Sequence, residues 1–319
     1  MYLMDVPDTT KETEGGTGNG LEYAVAAMQG WRQTMEDAHV ADVKPAGLPE
    51  GFSLFAIFDG HCGHLTAQLA SQRITEEVAN ALKSISSDGK LEVESSRQSN
   101  DALSDAMRKA FVSLDKSIRD TYGKETFYGV RSGSTAVVAL ITPKGIVVAN
   151  AGDSRCFLFR DGETVKMSRD HKPWKPKEYE RIINAGGTVW DNRVDGDLSV
   201  SRGLGDFRYK TRTDLPAAEQ QVSCSPDVIA TMIDNTEEFL VLACDGVCDV
   251  MSNYEVCDFI RKRMAEGKAD LKQIAEEVLD QCVNSHDNAS IVIVKFPGAK
   301  IGEGGGVQED VQTVQNVAT

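Results

Sequence analysis

The stretch Phe55-Ala-Ile-Phe-Asp-Gly-His-Cys-Gly-His64 decides how the rest of the chain reads. It opens as an apolar run of strand length and stops abruptly at an acid, a glycine and two histidines. Alone, it is a buried strand turning into a loop, with zinc suggested by its histidines and cysteine. Two other runs end the same way, Val147-Val-Ala-Asn-Ala-Gly-Asp153-Ser154 and Leu240-Val-Leu-Ala-Cys-Asp245-Gly246. A fourth acid, Asp287, stands just before the last apolar run, and Glu36-Asp37 lie between the first two predicted strands.

Any one of these acids simply marks a turn, where Asp-Gly pairs are common. Together they imply more. A carboxylate abutting a buried strand loses hydration, which costs free energy unless positive charge stands beside it. Few bases lie nearby in sequence, and divalent cations would supply that charge. Carboxylates, a backbone carbonyl and water, without His or Cys ligands, suit a hard ion such as Mg2+ or Mn2+. Gly60, following Asp59, would let a cation approach its carbonyl. Two such ions would acidify a water into a nucleophile and clamp a phosphoryl oxygen.

Bulk properties narrow the field. The 319 residues carry 49 acids against 34 bases, a net charge of −15. Nucleic-acid phosphates would be repelled. An anionic substrate would be repelled too unless the site held its own positive charge, which bound cations would provide. With 41% hydrophobic residues the chain can build a sizeable core, and its length allows one large domain or two medium ones. No apolar window approaches the ~20 residues of a membrane span. The N-terminus is polar and acidic and lacks a glycine at position 2, so neither a targeting peptide nor myristoylation is expected. Seven cysteines, 62, 156, 224, 244, 248, 257 and 282, form no Cys-x-x-Cys pair. Reduced, mostly buried thiols fit a reducing compartment, the cytoplasm or the nucleus.

Along the chain, residues 1–20 are rich in Thr, Glu and Gly, and disorder is expected there. Residues 298–319 read as a flexible tail in which Val307, Val311 and Val314 leave room for a short docking segment. Strands are predicted at Leu21–Met28, Ser53–Phe58, Ser134–Ile141, Gly145–Ala151, Arg155–Arg160, Val228–Ile233, Glu238–Cys244 and Ser290–Phe296. Residues 101–122 place Leu103, Ala106, Met107, Ala110, Phe111, Leu114, Ile118 and Tyr122 on one helical face. Ser252-Asn-Tyr-Glu255 is a capping box, Asp270 can N-cap another helix, and a further helix runs from Pro176 to Gly186-Gly187. Ser84–Asn100 reads as a loop or insertion. Strands and helices come in separate runs, which is α+β logic with antiparallel sheets and helices outside.

Two cations of the chain itself join the acids. Arg32, four residues before Glu36, carries a planar fork suited to bidentate phosphate binding. His61 titrates near neutrality and could give a proton to a leaving oxygen. A lone surface Arg or a lone His is usually structural, and His64 is read that way.

These residues resemble, segment by segment, the metal-dependent Ser/Thr protein phosphatases of type 2C. The matching pieces are GWRQTMEDAH (30–39), FAIFDGHCG (55–63), SGSTAVVALI (132–141), VVANAGDSR (147–155), SRDHKP (168–173), ERIINAGG (180–187), LSVSRGLGD (198–206), EFLVLACDGVCDVM (238–251) and DNASIVIVKF (287–296), in the family's order. The resemblance implies a catalytic domain over 21–297 with a central β-sandwich of two antiparallel sheets, flanked on both outer faces by helices (four layers, αββα). It implies a dinuclear Mg2+/Mn2+ centre that hydrolyses phosphoserine and phosphothreonine in proteins through a water nucleophile. Asp59 would bridge the ions and the Gly60 carbonyl would bind one. Asp245 and Asp287 would ligate the other, and Glu36 and Asp37 would act largely through water. Arg32 would hold the phosphate and His61 would be the general acid. Asp153 and Asp249 match positions of a third, weaker metal site. The segment from Asp170 to about Asp206 matches a flap beside the cleft, in which Arg193 is a candidate substrate contact. A monomer acting on phosphoprotein substrates is expected, with no nucleic acid and no membrane span. The chain departs from the family at Cys248, where a large aromatic is common, and at Ala289, where Met is.

Three rivals bear weighing. Cys257-Asp-Phe-Ile-Arg-Lys-Arg263 satisfies the Cys-x5-Arg spacing of thiol phosphatases, but its bulky residues read as an amphipathic helix rather than a glycine-rich phosphate cradle. An aspartyl-phosphate enzyme would need a second acid two residues after the nucleophile, and Asp59 is followed by Gly-His. A pseudophosphatase scaffold would have lost Asp59, Asp245 or Asp287, and all three are present.

Overall fold

The computed structural model describes residues 3–85, 97–126, 131–267, 270–297 and 299. In chain order the elements are β1 Asp8–Gly18, β2 Leu21–Gly30, β3 Ala38–Asp42, β4 Ser53–Phe58, β5 Gly60–His61, α1 Leu65–Ile85 and α2 Arg97–Thr126. Then come β6 Gly133–Ser134, β7 Ala136–Ile141, β8 Gly145–Ala151, β9 Arg155–Arg160, β10 Glu163–Lys166, α3 Pro176–Asn184, β11 Val189–Trp190, β12 Arg193–Val194 and β13 Leu204–Gly205. The chain closes with β14 Asp227–Met232, β15 Glu237–Ala243, α4 Asp245–Cys248, α5 Asn253–Glu266, α6 Leu271–Gln281 and β16 Ala289–Lys295.

The central strands are apolar runs because both their faces are covered. In β4, Leu54, Ala56 and Phe58 meet α1 and α2, while Phe55 and Ile57 turn to the opposite sheet. In β15, Phe239, Val241 and Ala243 face α5 and α6, while Leu240 and Leu242 face inward. The period-two alternation thus separates three apolar layers rather than one core from solvent. One sheet runs β1-β2-β16-β15-β9-β10 and the other β14-β8-β7-β4-β3, with every pairing antiparallel. Helices α1 and α2 cover the second sheet, and α5 and α6 cover the first. The expected four-layer α+β sandwich is the fold found. No helix of the described residues is long and apolar enough to cross a membrane.

The helix signals act as read. Ser252 accepts from the Glu255 N–H while the Glu255 side chain takes the Ser252 N–H, and Asp270 accepts from Gln273 N–H. Residues Leu103 to Ile118 bury the predicted face of α2.

Two expectations need correction. Disorder was expected for residues 1–20, yet Asp8–Gly18 is an edge strand paired with β2 through the turn Asn19-Gly20. An Asn-Gly turn with positive φ at both positions is a strong hairpin signal, outweighed in the sequence by polar composition. The strand is polar because it is an edge, and it is tied to α6 by Lys11 on Asp280 and by Thr13 donating to Glu276. The loop expected at Ser84–Asn100 is shortened from both sides, since α1 reaches Ile85 and α2 begins at Arg97. Residues 86–96, and the tail expected over 298–319 apart from 299, lie outside the described residues.

Candidate active site

The register of the strands gathers the acids. In the second sheet Phe58 pairs with Ala38, so Asp59 and Asp37 emerge side by side. Thr135, just before β7, donates its N–H to the Asp59 carbonyl and accepts the Asp59 N–H on its hydroxyl. In the first sheet Ala243 pairs with Ile291, which sets the end of β15, followed by Asp245, beside the start of β16, preceded by Asp287. Ala136 pairs with Ala151, bringing Asp153 to the same end. The sheets are joined there by Ser290, whose hydroxyl donates to Asp37 Oδ2 at 2.7 Å.

Burial and mutual repulsion show in the carboxyls. Burial, then Asp245, Asp37, Asp153 and Asp287, push Asp59 well above the usual carboxylate range. Burial, then Asp153, Asp287, Asp249 and Asp37, push Asp245 up to about 8. Burial chiefly raises Asp37 to about 6, against the opposing hydrogen bond from Ser290. A hard cation among these oxygens would relieve both causes, so the donor set fits the expected metal. Ligand atoms of Asp37, Asp59 and Cys244 lie within 4.8 Å of one another. Cys244 is a neighbour rather than a ligand. Burial drives its thiol well above the ordinary range, and its sulfur accepts the Ser290 N–H.

The glycines that follow Asp59 and Asp245 both serve close approach. A Cβ on Gly60 would lie 2.2 Å from the Glu36 carbonyl oxygen, and one on Gly246 would lie 1.9 Å from that of Asn288. The expectation that Gly60 opens room for a cation is therefore joined by a second cause, the backbone pressed against it. Asn288 is the hub the sequence did not reveal. Its Oδ1 accepts the Glu36 N–H, and its Nδ2 donates to the Gln29 and Thr34 carbonyls, fixing the loop that bears Arg32, Glu36 and Asp37. The Glu36 carboxylate accepts from Thr34 and from the Gly63 N–H.

Arg32 lies at this cleft, its Nη2 on Asp287 Oδ2 and its Nε on the His286 carbonyl. His61 donates from Nε2 to Asp206 Oδ2 at 2.7 Å. Burial alone would lower this imidazole, but the Asp206 charge and hydrogen bond outweigh it and the His61 pKa is raised. Asp153 is buried and paired with Lys172 Nζ, while Asp249 is exposed at the end of α4. Arg193 lies on the flap, in β12, rather than at the end of a sandwich strand. It is exposed on the β11–β12 hairpin, and its guanidinium donates to the Asp197 carbonyl within the flap. Cys248 and Ala289 are buried in the layer under α5 and α6. Cys257 is fully buried in α5 with its thiol pushed up to about 12, and Arg263 pairs with Glu266 and Glu277. No thiol nucleophile stands there.

The flap has its own small core of Ile182, Val194, Leu198, Val200, Tyr209 and Val222, so it runs past the expected end at Asp206. Glu178 organises it, accepting from Arg181 Nη1, Arg202 Nη2 and the Ser201 hydroxyl. Burial would raise this carboxyl, but Arg202 and Arg181 hold it down at about 2, below its ordinary 4.5. Its contribution to stability is therefore full above about pH 4.5 and lost as pH falls toward 2. Glu178→Ala, which leaves two largely buried guanidiniums without their shared partner, is expected to cost about 3–5 kcal/mol. Trypsin cleavage within 176–206 should accelerate while the sandwich stays protected. Unchanged cleavage would refute the hub.

A family profile described as Protein phosphatase 2C matches residues 21–291. Protein phosphatase 1B of Bos taurus is 42% identical over 302 residues, covering 93% of this chain and 61% of that one. Protein phosphatase 1A of Homo sapiens is 42% identical over 304 residues, covering 93% of this chain and 76% of that one. The chain thus spans less than two thirds of the bovine relative's length. Among solved structures, a phosphatase from a pathogenic strain of Toxoplasma gondii has a TM-score of 0.73 at 27% identity, over 91% of this chain and 96% of that one. A C. elegans sex determining protein has a TM-score of 0.71 at 26% identity, over 88% and 66%. The matched segment runs from β2 into β16 and so takes in every strand of the two sheets except β1 and the end of β16, and all the gathered acids. By profile, identity and fold together, the chain belongs to the protein phosphatase 2C family.

Proposed function

We propose that this chain hydrolyses phosphoserine and phosphothreonine in proteins, with divalent cations held by its strand-end carboxylates. The observation that carries this is the meeting of Asp37 and Asp59 from one sheet with Asp245 and Asp287 from the other, at one end of the sandwich. Asp59, the Gly60 carbonyl, Asp245 and Asp287 would hold two ions, Mg2+ or Mn2+, with Glu36 and Asp37 placed to act through water. When bound, the ions supply positive charge for the phosphoryl oxygens and lower the pKa of the attacking water. Arg32, anchored beside Asp287, is the group for the phosphate, where its planar fork suits two oxygens. The P–O bond to the seryl or threonyl oxygen breaks and a P–O bond from water forms. The departing oxygen's electron pair takes the proton that His61 releases. A third cation at Asp153 and Asp249 would have to displace the Lys172 ammonium, which makes that site the weakest. The cytoplasm or nucleus and a monomeric state fit this activity.

Hydrolysis of a phosphoserine peptide should be abolished by EDTA and restored by Mn2+. Protein loaded with Mn2+ that gives no turnover would overturn the proposal.

A further inference from the structure

We propose that Asp206, within the flap segment, is a positioning residue that fixes the His61 ring for proton donation. This rests on the reading of His61 as the general acid. The bond joins residues 145 apart in sequence, and a small ribbon builds it. Strand β6 lies between β5 and β13, with Gly133 opposite both His61 and Gly205. Asp206 follows directly, and its N–H donates to the Ser132 carbonyl. Its side chain is nearly inaccessible, whereas His61 keeps partial exposure. Next to it, Phe207 is buried beneath Arg119, which holds this turn of chain in place.

Gly133 is the geometric condition for the pair. A Cβ there would lie 2.1 Å from Asp206 Oδ2 and 2.3 Å from His61 Nε2. No side chain fits on that side of the ribbon while the two groups touch. A carboxylate only accepts, so Nε2 carries the shared hydrogen and the tautomer and ring angle are set together. The proton that moves is then the one on Nδ1, and Asp206 governs where it points.

The test uses the Mn2+-loaded full chain and two aryl phosphates, p-nitrophenyl phosphate with a good leaving group and phenyl phosphate with a poor one. Asp206→Asn is suited because Asp206 sits at φ 49°, a left-handed conformation that Asn tolerates. Loss of a positioned acid should fall on the poor leaving group. Asp206→Asn is expected to lower kcat for phenyl phosphate by about tenfold or more beyond any loss with p-nitrophenyl phosphate. KM, Mn2+ affinity and Tm should hold. His61→Gln should show the same selectivity, and the double variant should lose little more than His61→Gln alone. Gly133→Ala, which pushes the pair apart without changing either member, should repeat the pattern and serves if Asp206→Asn fails to fold. If His61→Gln is leaving-group selective but Asp206→Asn and Gly133→Ala slow both substrates equally, or neither, Asp206 has no positioning role. If His61→Gln itself shows no selectivity, the general-acid reading fails and the proposal falls with it.

Discussion

Asp245→Asn is expected to reduce phosphopeptide turnover by about a thousandfold, roughly 4 kcal/mol, and at the same time to stabilise the cation-free protein. Both effects come from one cause. Asp245 stands partly buried among Asp153, Asp287, Asp249 and Asp37, and their repulsion is part of why its carboxyl is raised. Asparagine keeps the shape and removes the charge. In EDTA the variant should melt higher by about 1.5–3 °C, corresponding to roughly 1–2 kcal/mol of relieved repulsion. In Mn2+ the order should reverse, because the wild type gains stability by binding the ion and the variant gains less. An unchanged rate would refute the ligand role. A variant that melts lower in EDTA would refute the electrostatic account of the cleft. A carboxylate cage of this kind trades stability of the empty fold for affinity toward what fills it.

The sequence exposes this centre because its acids end buried strands. Phe55–Phe58 and Leu240–Cys244 are apolar on both faces, so they stand out as runs, and an acid at the end of such a run is conspicuous. The edges are quieter. β1 is polar, with one side on solvent, and composition hides it although Asn19-Gly20 announces a turn. Asn288, Gly133 and Asp206 are quieter still. Their partners lie about 70 to 250 residues away, at Glu36 and His61, and nothing local distinguishes an asparagine that ties a loop from one that caps a turn. Lys172 on Asp153 is legible only once β8 and the flap are folded together. Arg193 is a matched motif position that lies exposed on the flap and donates to the Asp197 carbonyl.

The glycines that follow Asp59 and Asp245 give the second large effect, and it needs no carboxylate to be lost. Neither Gly60 nor Gly246 has positive φ, so alanine would not strain the backbone at either place. It would collide. The added Cβ of Gly246→Ala meets the Asn288 carbonyl oxygen at 1.9 Å, and that of Gly60→Ala meets the Glu36 carbonyl oxygen at 2.2 Å, both on backbone that cannot rotate aside. Relief requires β16 to move from α4, or the Glu36 loop to move from β5. Because Asn288 also holds Glu36, Gln29 and Thr34, either shift spreads the acids of one sheet from those of the other. Each substitution is expected to cost about 3 kcal/mol or more by overpacking and to lower kcat about a hundredfold through misplacement of the order of 1 Å. Gly267→Ala supplies the contrast. It caps α5 at φ 63° with nothing within 4 Å of the added carbon, so it should cost about 1 kcal/mol and leave turnover intact. Measured Tm, Mn2+ affinity and kcat for the three variants separate crowding from strain. A Gly246→Ala protein with wild-type Tm and Mn2+ affinity would show that the two sheets do not need this contact to align their acids.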